Sequence, residues 1–100
     1  MDKHIDLIKP NGKRFYGNAG VIITGNTISL RSYNTIVCQI VNGEFHRTWY
    51  GWSASTARHI RFFLAYYATS ALSAMRQKAR EDGTTQKAVW LSMPVHEITF

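Results

Sequence analysis

The hydrophobic period of the sequence changes within one stretch, Trp49–Ile60, and this change constrains the fold more than any other feature. Before this stretch, apolar residues alternate with polar ones, which is typical of half-buried strands. After it they recur every three or four residues, as in an amphipathic helix. Ser53 is suited to cap that helix, because its hydroxyl can accept a hydrogen bond from a backbone N–H of the first turn. The chain is therefore expected to be β-rich first and helical afterwards.

Short turn motifs divide the first half of the chain into predicted hairpins. The motifs are Pro10-Asn11-Gly12, Gly25-Asn26 and Asn42-Gly43, and their residues supply the fixed or positive φ angles that tight turns need. The strands that they connect are predicted at His4–Lys9 and Lys13–Tyr16, at Val21–Thr24 and Thr27–Arg31, and at Thr35–Val41 and Glu44–Tyr50. The pattern indicates an antiparallel meander.

The Asn42-Gly43 turn also predicts which residues of the last hairpin are buried. A two-residue turn sets Val41 opposite Glu44, so that every second residue shares a face. The predicted core face holds Ile36, Cys38, Ile40, Phe45 and Trp49, with Arg47 as its misfit. The opposite face holds Gln39, Glu44, His46, Thr48 and Tyr50 together with Val37 and Val41. On this register, Gln39→Ala is expected to cost little stability.

Helical spacing predicts one long α-helix from Ala54 to about Asp82, with Gly83 as its stop. Lys87–Met93 alternates again and predicts a returning strand before Pro94, with Val95–Phe100 continuing in extended form. The predicted fold class is α+β. An antiparallel sheet of five or six strands packs against one long helix, with a C-terminal strand, in a single domain over residues 1–100.

The charge balance narrows the chemistry of a partner. Twelve Lys and Arg against six Asp and Glu give a net charge of +6, and Glu44 is the only acid between Leu7 and Arg80. Such a field attracts nucleic acids and acidic protein surfaces alike. The single cysteine, Cys38, favours a reducing compartment, so a cytoplasmic location is expected. No signal peptide or apolar run of about 20 residues is recognised, so no membrane association is expected.

Catalytic and metal-binding patterns are weak. The four histidines, His4, His46, His59 and His96, form no pair at i, i+3 or i+4, so neither a metal nor another cofactor is expected. Ser55 and His59 lie one helical turn apart, as a nucleophile and its base can. The alternative is that the hydroxyls cap the helix and His59 is half-buried, and this alternative favours a protein without enzymatic activity.

A basic and aromatic cluster at the start of the helix is the candidate binding surface. Guanidinium groups beside aromatic rings bind phosphates and stack on bases, and they also anchor protein interfaces. The predicted binding residues are Tyr50, Trp52, Arg58, His59, Arg61, Phe62 and Tyr66. Two structural alternatives stay open: Phe62 and Tyr66 can pack on a second side of the helix, and an arginine can hold the sheet-to-helix junction by packing over Trp49 or Trp52.

Two motifs carry a resemblance to a known group of proteins. Ser32-Tyr33-Asn34-Thr35-Ile36-Val37 is followed by Gly51-Trp52-Ser53-Ala54-Ser55-Thr56-Ala57-Arg58-His59-Ile60-Arg61-Phe62-Phe63. Together they resemble a Ser-Tyr-Asn-Thr … Gly-Trp-Ser-Ala-Thr-Thr-x-Arg-His-Ile-x-x-Phe signature of short bacteriophage and mobile-element proteins of unknown function. The match covers roughly residues 28–64, where Ser55 replaces a threonine and Arg61 replaces a polar or acidic residue. The resemblance implies a phage or mobile-element origin and no particular activity.

These observations lead to three functional hypotheses. The first is a small, non-enzymatic phage-type protein that inhibits a host or defence protein, as anti-CRISPR proteins do, in the host cytoplasm. The second is a nucleic-acid-binding accessory protein, and the third is a small hydrolase-like enzyme that uses Ser55 and His59. The oligomeric state stays open, and a homodimer is compatible with each hypothesis.

Overall fold

A computed structural model of the protein describes residues 2–9, 11–15 and 18–99. Within these ranges, five antiparallel strands lie side by side in chain order, and three helices follow them. The strands are β1 (Lys3–Asp6), β2 (Ala19–Thr24), β3 (Thr27–Ser32), β4 (Thr35–Val41) and β5 (Glu44–Arg47). The helices are α1 (Ala54–Tyr67), α2 (Thr69–Glu81) and α3 (Gln86–Ser92). The predicted α+β class and the antiparallel meander are confirmed.

The turn chemistry explains this meander. Asn42 and Gly43 both have positive φ, 52° and 81°, as the tight turn between β4 and β5 requires. The predicted register follows, with Val41 opposite Glu44 and Cys38 opposite Arg47. Within the described residues, the first predicted hairpin contains one isolated bridge, between Ile8 and Arg14, and β1 pairs with β2 instead. Pro10 in its predicted turn, Tyr16 at its predicted end and Phe100 at the predicted extended end lie outside the described residues.

A β-bulge in β4 alters the predicted faces. Leu30 of β3 pairs with Cys38, whereas the next residue, Arg31, pairs with Ile36, so Val37 is the additional residue on β4. Val37 and Cys38 both lie in the core as a result, with exposed fractions of 1% and 0%. The predicted alternation was wrong here, because Ile36 instead lines a hollow on the opposite face with Gln39. A bulge cannot be recognised from hydrophobic alternation alone.

The outer face of the sheet is covered at β4 by the C-terminal segment. Gln39 is 1% exposed, and its amide nitrogen donates to Ser29 Oγ at 2.9 Å and to the Thr99 carbonyl at 2.9 Å. The Thr99 N–H donates to Gln39 Oε1 at 2.8 Å. The His96 ring stacks on His46, with centroids 4.2 Å apart. The expectation that Gln39 contributes little is therefore wrong, because its side chain is buried and fully bonded.

The predicted long helix is two helices that meet at Ala68. Ser53 caps α1 as predicted, since its Oγ accepts the Thr56 N–H at 3.2 Å. Ala68 leaves the helical region, with φ −154° and ψ 64°. In an unbroken helix, Leu72 and Ala79 would point about 120° and about 100° away from the direction of Ile60. The break resets this phase, so residues of both helices are buried.

The predicted C-terminal strand is the helix α3. Thr85 caps this helix, because its Oγ1 accepts the Ala88 N–H at 3.1 Å. α3 buries the adjacent residues Val89 and Trp90, which would point to opposite faces of a strand. The core between the sheet and the helices includes Leu7, Val21, Leu30, Cys38, Ile60, Phe63, Leu64, Leu72, Met75 and Trp90. A strand here would bury only one of these two side chains, because the other would point away from the core.

Arg47, the misfit on the core face, holds the junction between sheet and helices. It is 4% exposed, and its guanidinium donates to the carbonyl oxygens of Trp49, Tyr50 and Met93 at 2.8, 2.7 and 2.8 Å. The guanidinium lies over the Trp90 ring, 5.4 Å from its centroid. An arginine does hold this junction, but it is Arg47 over Trp90 rather than Arg58 or Arg61 over Trp49 or Trp52.

Candidate functional site

A buried polar network joins the end of β3 to the first turns of α1. Ser32 Oγ lies 2.9 Å from Thr56 Oγ1 and 2.7 Å from His59 Nδ1. All three side chains are buried, with exposed fractions of 2%, 4% and 3% for Ser32, Thr56 and His59. His59 therefore pairs with Ser32, and Ser55 is exposed on the same helix. The network satisfies buried polar groups and fixes the β3–β4 turn against α1.

Two aromatic rings contact His59, one from the buried Phe15 (7% exposed) and one from the exposed Tyr33. Phe15 meets its ring edge-on, with centroids 4.7 Å apart and an interplanar angle of 80°. Tyr33 contacts it from the β3–β4 turn, with centroids 5.6 Å apart. Phe15 also contacts Phe62 of α1 at 5.6 Å. The loop before β2, the β3–β4 turn and α1 thus meet around one buried imidazole.

Two cations lie over the Phe15 ring. Lys9 Nζ is 4.9 Å and Arg58 Cζ is 5.9 Å from the centroid of the Phe15 ring. Among the described residues, no carboxylate forms an ion pair with either side chain. We call the patch formed by Lys9, Phe15, Tyr33 and Arg58 the basic-aromatic surface. Its positive charge is not neutralised by the part of the chain that the structure describes, so it is available to an anionic partner.

The electrostatics of His59 show that several cations converge at this patch. The pKa of His59 is lowered, first by burial of the ring and then by the positive charges of Arg58, Arg31 and Lys9. Each of these effects disfavours the imidazolium form, so His59 is neutral at pH 7. His59 is therefore a buried, uncharged support, and the cations around it define a positively charged surface.

The predicted binding residues of α1 fall on neighbouring strips. Arg58, Phe62 and Tyr66 follow one another at intervals of four residues, whereas Arg61 projects about 60° away from Arg58 around the helix axis. Phe62 is half-buried against Phe15, and Tyr66 is 58% exposed. Arg58 is exposed and Arg61 is half-buried. The start of α1 therefore presents Arg58 directly at the basic-aromatic surface, with Arg61 beside it.

Tyr50 and Trp52, the other two predicted residues, belong to the Arg47 junction. Trp52 is half-buried and packs on Trp90, with centroids 5.9 Å apart. The Tyr50 carbonyl accepts a hydrogen bond from Arg47, and the Tyr50 ring is left 79% exposed. Gly51 between them lies against the Trp49 indole, where an added Cβ would be 2.5 Å from a ring carbon. Trp52 is thus part of the packing, and Tyr50 remains accessible.

Sequence reasoning missed Lys9, Phe15 and Tyr33 as members of the surface. Phe15 follows Lys13-Arg14 directly, and Tyr33 lies within the Ser-Tyr-Asn-Thr motif, so both were visible as aromatic residues in basic or turn segments. Their proximity to Arg58 depends on the packing of the loop before β2 against α1. That contact joins residues far apart in the chain, and no local pattern encodes it.

The described residues were also compared with the patterns of metal sites and membrane-spanning helices. Within them, no group of three His, Cys, Asp or Glu side chains is placed to hold a metal ion. None of the helices in the same ranges is long and apolar enough to cross a bilayer. Burial raises the pKa of the Cys38 thiol far above its ordinary value, so this cysteine stays protonated and unreactive.

Comparison with known proteins identifies a family. A model of a family of unknown function, DUF8033, matches residues 4–81. The match covers most of the chain, so the protein belongs to this family. Neither the curated proteins nor the solved structures gave a match. The phage origin suggested by the motifs stays a prediction.

Proposed function

We propose that this member of DUF8033 is a small, non-enzymatic binding protein whose partner is nucleic acid. The observation that carries the proposal is the position of Lys9 and Arg58 over Phe15 without a carboxylate to pair with among the described residues. Phe15 is 7% exposed, so its ring supports the two cations and does not itself receive a base. Buried cations are usually paired with a carboxylate, whereas cations that lack one at a surface suit the phosphates of a nucleic acid. The net charge of +6 adds a long-range attraction for such a polyanion.

The geometry around His59 is the reason for proposing binding rather than catalysis. The His59 ring is 3% exposed, and its Nδ1 is already 2.7 Å from Ser32 Oγ. A general base has to reach the proton of a bound substrate, and this imidazole lies beneath Phe15 and Tyr33. The arrangement supports a structural role for His59 rather than the role of a base that activates Ser55 in a hydrolase.

The proposal is tested by replacing the two cations over Phe15. The double variant Lys9→Gln/Arg58→Gln is compared with Arg76→Gln/Arg80→Gln, which removes the same charge from exposed positions of α2. Binding of a fluorescein-labelled oligonucleotide is followed by anisotropy at several salt concentrations. Each lost phosphate contact is expected to reduce the salt slope by about 0.7 for a single strand. A slope that is equal in both double variants would contradict the proposal.

Arg61 decides how far the surface extends. It lies beside Arg58 on α1 but contacts no aromatic ring within the described part of the chain. If it contacts the partner, Arg61→Gln will weaken binding while leaving the melting temperature unchanged. If it only adds to the overall charge, the effect will match that of Arg76→Gln.

A second candidate is the inhibition of a host or defence protein in the host cytoplasm. Two exposed tyrosines favour it, Tyr50 at 79% and Tyr66 at 58%, because tyrosine is a frequent anchor of protein interfaces. A pull-down from a bacterial lysate, with and without nuclease, separates the candidates. Capture that nuclease abolishes supports nucleic acid. Capture that survives nuclease and is lost in Tyr50→Ala/Tyr66→Ala supports the protein partner.

A further inference from the structure

Tyr33 is held in a fixed position on the basic-aromatic surface by its backbone. It lies in the turn between β3 and β4 with a positive φ of 54°, which is uncommon for a residue with a side chain. Its N–H donates to the Asn18 carbonyl at 2.7 Å, and its carbonyl accepts a hydrogen bond from the Arg31 guanidinium. Both polar groups of this residue's backbone are thus engaged, so the turn holds the ring in place.

The ring of Tyr33 is supported on one side and open on the other. It contacts His59 at 5.6 Å with an interplanar angle of 49°, and His59 is itself fixed by Ser32. The residue nevertheless remains 45% exposed. Its open side is a planar apolar surface, and the ring lies against His59, on which the positive charges of Arg58, Arg31 and Lys9 act.

We infer that Tyr33 is a stacking platform for a base, and that the nucleic acid recognised at the basic-aromatic surface is single-stranded. The inference rests on the proposed function and adds the strand class of the ligand. In a duplex the faces of the bases are stacked on one another, so an aromatic side chain can reach them only in single strands or at splayed ends. A base on Tyr33 places the adjoining phosphates near Arg58 and Lys9. The bonded backbone of Tyr33 and the contact of its ring with His59 lower the entropic cost of binding.

The test needs a substitution that removes the ring and keeps the turn. Tyr33→Asn is suitable, because asparagine tolerates the left-handed backbone that alanine disfavours. Tyr33→Phe keeps the ring and removes the hydroxyl. Leu91→Asn is the matched control, because it removes an equally exposed apolar side chain, 45% in both cases, from α3, which contributes no residue to the basic-aromatic surface.

Binding is measured with labelled oligothymidylate, oligouridylate and a DNA duplex of the same length. The wild type is expected to prefer the single strands, and Tyr33→Asn to weaken their binding by about 10-fold or more while the duplex affinity is unchanged. Tyr33→Phe and Leu91→Asn are expected to stay within about 2-fold of the wild type. The two single-stranded probes report whether DNA or RNA is preferred.

Two results would overturn the inference and leave the proposed function standing. One is equal affinity of the wild type for duplex and single strands, and the other is unchanged single-strand binding by folded Tyr33→Asn while Lys9→Gln/Arg58→Gln loses it. If the wild type binds none of these nucleic acids, both the inference and the proposed function are overturned. Should Tyr33→Asn fail to fold, photocrosslinking of wild-type protein to a bromouracil-containing strand decides: a crosslink at Tyr33 supports the inference, and crosslinks elsewhere only overturn it.

Discussion

Replacing Arg47 by methionine is expected to destabilise the protein strongly, although this residue was the misfit on the predicted core face. Methionine keeps most of the apolar length of the side chain and removes the guanidinium. Three carbonyl oxygens, those of Trp49, Tyr50 and Met93, then lose a donor that lies 2.7–2.8 Å away in the wild type. These carbonyls fix the segment that leads into α1 and the end of α3, so the whole junction depends on one side chain.

The magnitude follows from the balance of three effects. A buried acceptor without a partner costs about 1–3 kcal/mol, and because the three carbonyl bonds are only part-buried, each is expected to contribute about 1 kcal/mol. Removing the cation also removes its own burial cost, which is reflected in the lowered pKa of Arg47. Loss of the contact with the Trp90 ring adds about 1 kcal/mol. The net loss in the free energy of unfolding is expected to be about 3 kcal/mol, or a fall in Tm of about 12 °C or more for a chain of this size.

Urea unfolding followed by tryptophan fluorescence measures this loss, because Trp90 lies directly under the guanidinium. Arg47→Lys keeps the charge but cannot donate to three carbonyls in a fork, so an intermediate loss is expected. Arg76→Met on the exposed face of α2 is the control and should change stability by less than about 0.5 kcal/mol. A loss below about 1 kcal/mol for Arg47→Met would refute the view that these three bonds hold the junction.

Two further predictions test the outer face and the buried histidine. Gln39→Ala should lower the free energy of unfolding by about 1–3 kcal/mol and speed hydrogen exchange at the Thr99 amide. Gln77→Ala on the surface of α2 is the control and should do neither. Unchanged exchange at Thr99 would contradict the role of Gln39. Because the pKa of His59 is lowered on folding, the unfolded chain takes up a proton first as the pH falls below about 6.5, so stability should decline there. Thermal melts of His59→Gln should show a shallower decline with pH, and an identical slope in both proteins would refute this contribution.

The first half of the fold could be predicted because its turns are encoded locally. Asn42-Gly43 determines both the turn and the register that follows from it. The bulge at Val37 and the break at Ala68 could not be predicted in the same way, because each is determined by how the sheet and the helices pack against one another and not by a local turn motif. One signal for the break was present in the sequence: the apolar stripe that begins at Ile60 drifts around the helix by Leu72 and cannot face one sheet throughout.

The C-terminal helix shows a different limit of sequence reasoning. Over seven residues, alternation fits a strand, and the segment Gln86–Ser92 also fits two turns of helix. The deciding facts are tertiary, since Trp90 is fully buried and donates from its indole N–H to the Gly51 carbonyl at 2.8 Å. The same packing half-buries Trp52 against Trp90, whereas sequence reasoning placed Trp52 at the binding surface.

The basic-aromatic surface depends on buried residues that a ligand does not touch. The surface combines three separate segments, which contribute Lys9 with Phe15, Tyr33, and Arg58. Such a surface binds well only if its parts are held together before the ligand arrives. His59 supplies that support, because its ring contacts Phe15 and Tyr33 while its Nδ1 is bonded to Ser32. Burial and the charges of Arg58, Arg31 and Lys9 lower the pKa of His59, so this support adds no charge of its own to the patch at pH 7. The Ser-Tyr-Asn-Thr and Arg-His motifs therefore form one unit. In each motif one residue is buried support, Ser32 or His59, and the next or preceding residue, Tyr33 or Arg58, is the one that we propose contacts the ligand.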